Sequence, residues 1–268
     1  METEFLLYPS TWIGAAFLAM PRMLMMFSLL PIFNRQALPG LLRIGVAFAF
    51  ALFVVPSLVP DAMQIAQQPA RLFPIVAKEA LIGLLLGFLL ALPLWAMDVM
   101  GAYIDNQRGA SIAATINPLT GHDTSPLGEL FSQTGMIILL ITGGLFIILE
   151  LVYASYQIWP VTRMLPQWSD DAGLIFLGLA DKLMWLAIML SAPVVFSMFL
   201  AEVGLGIVSR FVPQLQVFFL AMPIKSAIAM FVLAVYTASL VGYFRDEYVD
   251  MSPRMLELIK SMFKETRQ

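Results

Sequence analysis

The chain has 268 residues, of which 60% are hydrophobic and 12% charged, with a mean hydropathy of +0.86 and a net charge of −3. A soluble domain of this size carries about a quarter charged residues, so this chain belongs in lipid or in an assembly that replaces lipid. Without cysteine there is no disulfide framework and no thiolate site, one histidine argues against a zinc centre, and no basic run invites nucleic acid.

The opening "METEFLLYPST" carries two glutamates where a signal peptide needs basic residues, so the first apolar segment is expected to stay in the mature protein. Uncharged runs near the length that crosses a bilayer lie at residues 5–21, 44–60, 80–97, 130–149, 183–201 and 226–244. The first is expected to continue past Arg22 to about Phe33. The runs are continuous rather than alternating, which argues against a barrel. The fold expected is therefore an all-α membrane protein of about six apolar helices or hairpins. Pro21, Pro56, Pro93, Pro193 and Pro223 lie in or beside these runs and are expected to kink them.

Charges sit in or at the edges of the same segments: Arg22, Lys78 with Glu79, Asp98, Glu150, Asp181 with Lys182, Glu202 and Lys225. Each is costly at membrane depth and needs a partner, a cavity or the interface. Snorkelling accounts for Lys182 and Glu150 near segment ends. Lys225 stands between two long uncharged stretches, so a paired, protein-facing lysine is expected there. Gly83 and Gly87 would let helices approach closely, as would Gly143 and Gly144.

After the third segment comes a polar island, "NPLTGHDTSPLGELF". Without the company of a motif it reads as an ordinary extramembrane loop, although a long connection without secondary structure of its own is usually functional. Ser111 and His122 could suggest a serine hydrolase dyad, but they share one loop with no supporting motif, and a plain polar loop is the better reading.

Residues 1–244 read as one hydrophobic domain and residues 245–268 as a tail. Ser252 can cap a helix starting at Pro253, with Met255, Leu258, Ile259, Met262 and Phe263 on one face. Its acidic and basic residues balance, favouring a protein partner over lipid. Arg71, Lys78, Arg163 and the tail cations lie on one side of six crossings, against Arg35, Arg43, Arg108 and Arg210 on the other. That bias places both termini in the cytoplasm.

Two functional classes fit these features. One is a subunit of a protein channel; the other is a small-solute or proton-coupled transporter, with Asp98 or the Asp181–Lys182 pair as a relay. The motifs separate them. "RGASIAATINPLTGHDTSPLGELF", then "GGLFIILELVYASYQIWPV", then "APVVFSMFLAEVGLGIVSRFVPQLQVFFLAMPIKSAIA" resemble the SctT/FliR family of type III secretion export-apparatus proteins. The resemblance runs from "PRM" to "PIK", and "SYQIWPV" is closer to the injectisome, virulence-type member than to the flagellar paralogue.

The resemblance implies a bacterial inner-membrane subunit, one copy in a helical export gate with several R-type and S-type subunits and a U-type switch protein, through which protein substrates pass. Neighbouring subunits and membrane lipid would cover the helices, with Lys225 and Glu202 as charges at subunit contacts. It also implies that the Gly101–Gly128 loop turns into the lumen and plugs it. The plug residues would be Gly109, Ser111, Ile112, Ile116, Asn117, Pro118, Gly121, Ser125, Pro126 and Gly128. The sequence has no nucleotide-binding loop, so the gate would be passive, non-enzymatic and without a cofactor or metal.

Overall fold

The computed structural model describes residues 9–33, 38–110, 125–164, 171–212 and 217–249, with Glu257, Leu258 and Ser261 of the tail. Lipid offers no partner to a free peptide group, so long apolar runs close their backbone bonds within helices. Eight α-helices form among the described residues, and no strand does. They are α1 (Pro9–Leu29), α2 (Gly40–Ala51), α3 (Val55–Ala66), α4 (Leu72–Arg108), α5 (Pro126–Ile141), α6 (Gly144–Ile158), α7 (Ala172–Phe211) and α8 (Val217–Val249). Short 3-10 turns occupy Pro31–Phe33 and Pro69–Arg71.

By length and composition α1, α4, α7 and α8 can each cross a membrane alone. The α2–α3 and α5–α6 pairs are bent by 91° and 76°, and counting each as one broken span brings the total to six. One of these bends falls beside an expected proline, since the α2–α3 break at residues 52–54 directly precedes Pro56. Pro21, Pro93, Pro193 and Pro223 all lie inside continuous helices, and Pro56 sits in the first turn of α3. The α5–α6 break instead centres on Gly143, whose φ of +80° is left-handed and open to glycine at little cost. Gly143 thus serves a turn and not the close helix contact expected of it.

The residues divide into two compact units. The first comprises residues 1–91, 143–177 and 250–268. Within it α1 packs on α2 and α3, and its core includes Leu18, Met23, Met26, Phe27 and Val59. Gly83 and Gly87 let α4 meet α1 backbone to backbone: a Cβ at Gly83 would run into the Arg22 carbonyl, and one at Gly87 would lie 2.8 Å from the Met26 carbonyl oxygen. This is the close approach that small residues permit.

The second unit comprises residues 92–142 and 178–249. Within it α5 packs on α8, and an apolar crevice between them is lined by Leu127, Phe131, Leu233 and Phe244 among others. Gly135 of α5 leaves room for Leu94 and Met97 of α4.

The expected loop of Gly101–Gly128 is too wide at both ends. Helix α4 continues through Tyr103, Asp105 and Arg108, and α5 already includes Pro126, Leu127 and Gly128. Polar residues near a helix end share the composition of a loop. The chain between the two helices is residues 109–125, of which 111–124 lie outside the described residues.

Candidate functional site

Two buried polar clusters stand out, one in each unit. In the first unit Arg22 of α1 is fully buried, as is Glu79 of α4. Arg22 Nε donates to Glu79 Oε2 at 2.7 Å, Nη1 to Ser155 Oγ at 2.9 Å, and Nη2 to the Trp159 carbonyl at 3.1 Å. The guanidinium also lies 3.8 Å from the centre of the Tyr156 ring, whose hydroxyl donates to the Ala19 carbonyl. A planar fork with several donors can satisfy such a site where a lysine could not.

Lys78 completes this node. Its ammonium donates to the carbonyls of Pro160, Val161 and Arg163 at 2.8–3.1 Å, which uses all three of its protons. Glu79 Oε1, 2.8 Å away, therefore interacts with it as a charge rather than as a fourth acceptor. Together Arg22 and Lys78 gather the carbonyls that follow the C-terminus of α6. Carbonyls left over at a helix end prefer a cation there. The intramembrane charges Arg22, Lys78 and Glu79 thus find the partners that burial demands.

The second cluster stands where the polar island begins and ends. Asp105, in the last turn of α4, is buried. Its Oδ1 accepts from Arg108 Nε at 2.7 Å; its Oδ2 accepts from the Ser125 hydroxyl at 2.5 Å and from the Leu127 amide at 2.9 Å. Ser125 in turn accepts from the Gly128 amide at 2.9 Å, which makes it the N-cap of α5, and Pro126 follows at the first helical position. The backbones touch beside this staple, since a Cβ on Gly101 would lie 2.5 Å from the Gly128 nitrogen and the Leu127 carbonyl. Helix α4 ends one residue past Arg108 at Gly109, whose φ is +86°, a left-handed helix terminus that favours glycine. Met222 of α8 packs against Gly109, with its Cγ 3.3 Å from where a Cβ would be.

Of the expected plug residues, the structure thus places Ser125 and Gly128 at the Asp105 cluster, Pro126 between them in the first turn of α5, and Gly109 just past the end of α4. Ser111, Ile112, Ile116, Asn117, Pro118 and Gly121 lie outside the described residues, as does His122. Lys225 of α8 pairs with Glu202 Oε2 of α7 at 3.0 Å, with the lysine largely covered and the carboxylate 58% exposed. Exposure of one partner leaves such a pair worth at most about 1 kcal/mol within this chain. Lys182, expected to snorkel, is paired with Glu247. Asp105 lies among polar residues that resemble loop composition; the sequence sign of its role is an aspartate one turn before an arginine, followed later by a Ser-Pro helix start.

No group of acidic residues and histidine able to hold a metal occurs among the described residues. What the geometry provides is a many-helix apolar scaffold, long helices sized for a bilayer, and a polar connection whose two ends are tied by one carboxylate. These features define a polytopic all-α membrane protein. A family model for bacterial export proteins, family 1, matches residues 13–251, and the chain belongs to that family, the one its motifs resemble as SctT/FliR.

The chain is 40% identical over 228 residues to the Yop proteins translocation protein T of Yersinia pestis, covering 84% of this chain and 87% of that one. It is 32% identical over 225 residues to the surface presentation of antigens protein SpaR of Salmonella typhimurium, at 84% and 83% coverage. To the flagellar biosynthetic protein FliR of Bacillus subtilis it is 33% identical over 211 residues, at 78% and 80%. It is more similar to the Yop translocation protein than to this flagellar one.

Proposed function

We propose that this chain is a non-enzymatic structural and gating subunit of a type III secretion export gate in the bacterial inner membrane. Membership of the bacterial export family supports the export role, and similarity to the Yop translocation protein favours an injectisome over a flagellum. The R-type and S-type membrane subunits are its partners in the gate, with a U-type switch protein nearby and lipid at the outer surface. Lys225 and Glu202 then belong to a subunit contact, where the exposed carboxylate oxygen gains a further donor.

The gating role rests on one observation: the polar connection leaves α4 and returns to α5 through a single tied root at Asp105 and Ser125. A closed loop on a fixed root can fill a lumen without contributing much to subunit packing. Polar groups suit the hydrated channel, and the apolar Ile112 and Ile116 suit a tight ring within it.

Deleting residues 117–122 tests this reading, because the deletion spares Ser125 and so keeps the cap of α5. Complex recovered in mild detergent is expected at near-normal yield, while ion leakage across vesicles carrying it rises. An assembled deletion complex that leaks no more than the parent contradicts the plug.

A further inference from the structure

Helix α6 has two faces, and one of them is satisfied within the first unit. Ile148, Leu151, Val152 and Ser155 are buried on the inner face. The outer face carries Phe146, Glu150, Tyr153 and Gln157, which recur every three or four residues and so share one side of the helix. Phe146 is 77% exposed, and Glu150 and Gln157 are exposed with it. Phe53 extends this surface: it is 76% exposed, and its ring lies 6.5 Å from that of Tyr153.

Glu150 is the one charged residue of α6. Among the described residues none donates to it or pairs with it. It stands about 9 Å from the start of the helix and about 12 Å from its end, too far for a short glutamate side chain to reach past either. The snorkelling expected of it therefore does not account for it. A carboxylate exposed in an apolar helix needs a cation or a donor from elsewhere.

The inner side of the same helix shows what such a group accepts. There the Arg22 guanidinium bonds Glu79 Oε2 at 2.7 Å and lies 3.8 Å from the centre of the Tyr156 ring. A planar fork can bond a carboxylate while its face rests on an aromatic ring. The outer face repeats the acid and the rings, with Phe146 and Tyr153 each one turn from Glu150, and offers no cation of its own.

We infer that the outer face of α6, together with Phe53, is a docking surface for an apolar helix of a neighbouring membrane subunit, and that an arginine of that helix binds Glu150. Charge complementarity selects this occupant. Acyl chains bring no donor, and a lipid phosphate would be repelled by the carboxylate. A helix carrying arginine supplies the charge and the apolar cover together. The inference rests on the export-gate assembly proposed above and deepens it by naming a face, a residue and the chemistry of the contact.

Recovery of the assembled complex in mild detergent tests it. Glu150→Arg should lower that recovery roughly tenfold or more, because like charges then meet at the contact. Glu150→Gln, which keeps the shape and removes the charge, should lower it less. Expressed without partners, each variant chain should be recovered at the level of the parent, since Glu150 bonds nothing within it. A fall there equal to the fall in complex would make Glu150 a folding residue and end the proposal.

A benzophenone amino acid in place of Phe146 identifies the occupant. Irradiation of the purified complex should join it to a helix of another membrane subunit, in a peptide with an arginine inside an apolar segment. Changing that arginine to glutamate should then restore the complex lost in Glu150→Arg. Crosslinks to lipid alone, or to a peptide without a cation, would overturn the proposal. A parent complex that tolerates Glu150→Arg removes this contact and leaves the export gate standing; a parent chain that purifies without other membrane subunits removes both.

Discussion

Replacing Arg22 by methionine is expected to cost about 3–5 kcal/mol, the usual penalty for breaking one side of a buried ion pair. The change strips Glu79 of a bond at 2.7 Å in a place where neither residue reaches solvent. It also removes the bonds that Ser155 Oγ and the Trp159 carbonyl accept from Arg22. A loss of that size is comparable with the whole stability of many domains, so little complex should be recovered after extraction in mild detergent. Arg22→Lys should rescue only part, since one ammonium cannot reach three partners in the plane of the guanidinium. Arg22→Met combined with Glu79→Gln should recover no more than Arg22→Met alone, because the second change also takes from the buried Lys78 its counter-charge at 2.8 Å. Normal yield from Arg22→Met would mean that the node contributes nothing to folding.

The other large effect is expected from a single methyl group. In Gly101→Ala the new Cβ would stand 2.5 Å from the Gly128 nitrogen and from the Leu127 carbonyl carbon and oxygen. All three are backbone atoms, so no rotamer change relieves the clash and the helices must part by roughly 1 Å, at about 1–3 kcal/mol. The same displacement stretches the bond from the Leu127 amide to Asp105. Ion leakage should therefore rise in whatever complex assembles. Gly45→Ala is the matched control, since nothing lies within 4 Å of its added Cβ and alanine is the better helix former. Equal behaviour of the two variants would remove the close approach of α4 and α5 from the explanation.

These features differ in how far they could be read in advance. The long helices were legible, because an uninterrupted apolar run has few ways to satisfy its backbone in lipid. Their breaks were less so. Pro93 and Pro193 do not end a helix, since α4 and α7 run through both. The turn at Gly143 depends on a left-handed φ that a glycine permits but does not announce.

The limits of the polar connection are hidden in the sequence for a related reason. Asp105 and Arg108 look like loop composition, yet they sit on a helix where they bond one another and the far strand of chain. Ser125-Pro126 carried the same helix-start signal that was read at Ser252-Pro253, and it marks the true beginning of α5. Arg22 showed in the sequence only as a charge in need of company. Its partner Ser155 is 133 positions away, and no local pattern links them.

The gating role is tested most directly by cysteine placed at Ala114, in a chain that has no other thiol. In the resting assembled complex, a bulky thiol reagent supplied from the periplasm should fail to label Ala114→Cys. With a substrate stalled during export, the same thiol should crosslink to it. Free labelling at rest, together with no crosslink to a stalled substrate, would place residue 114 outside the channel and contradict the plug.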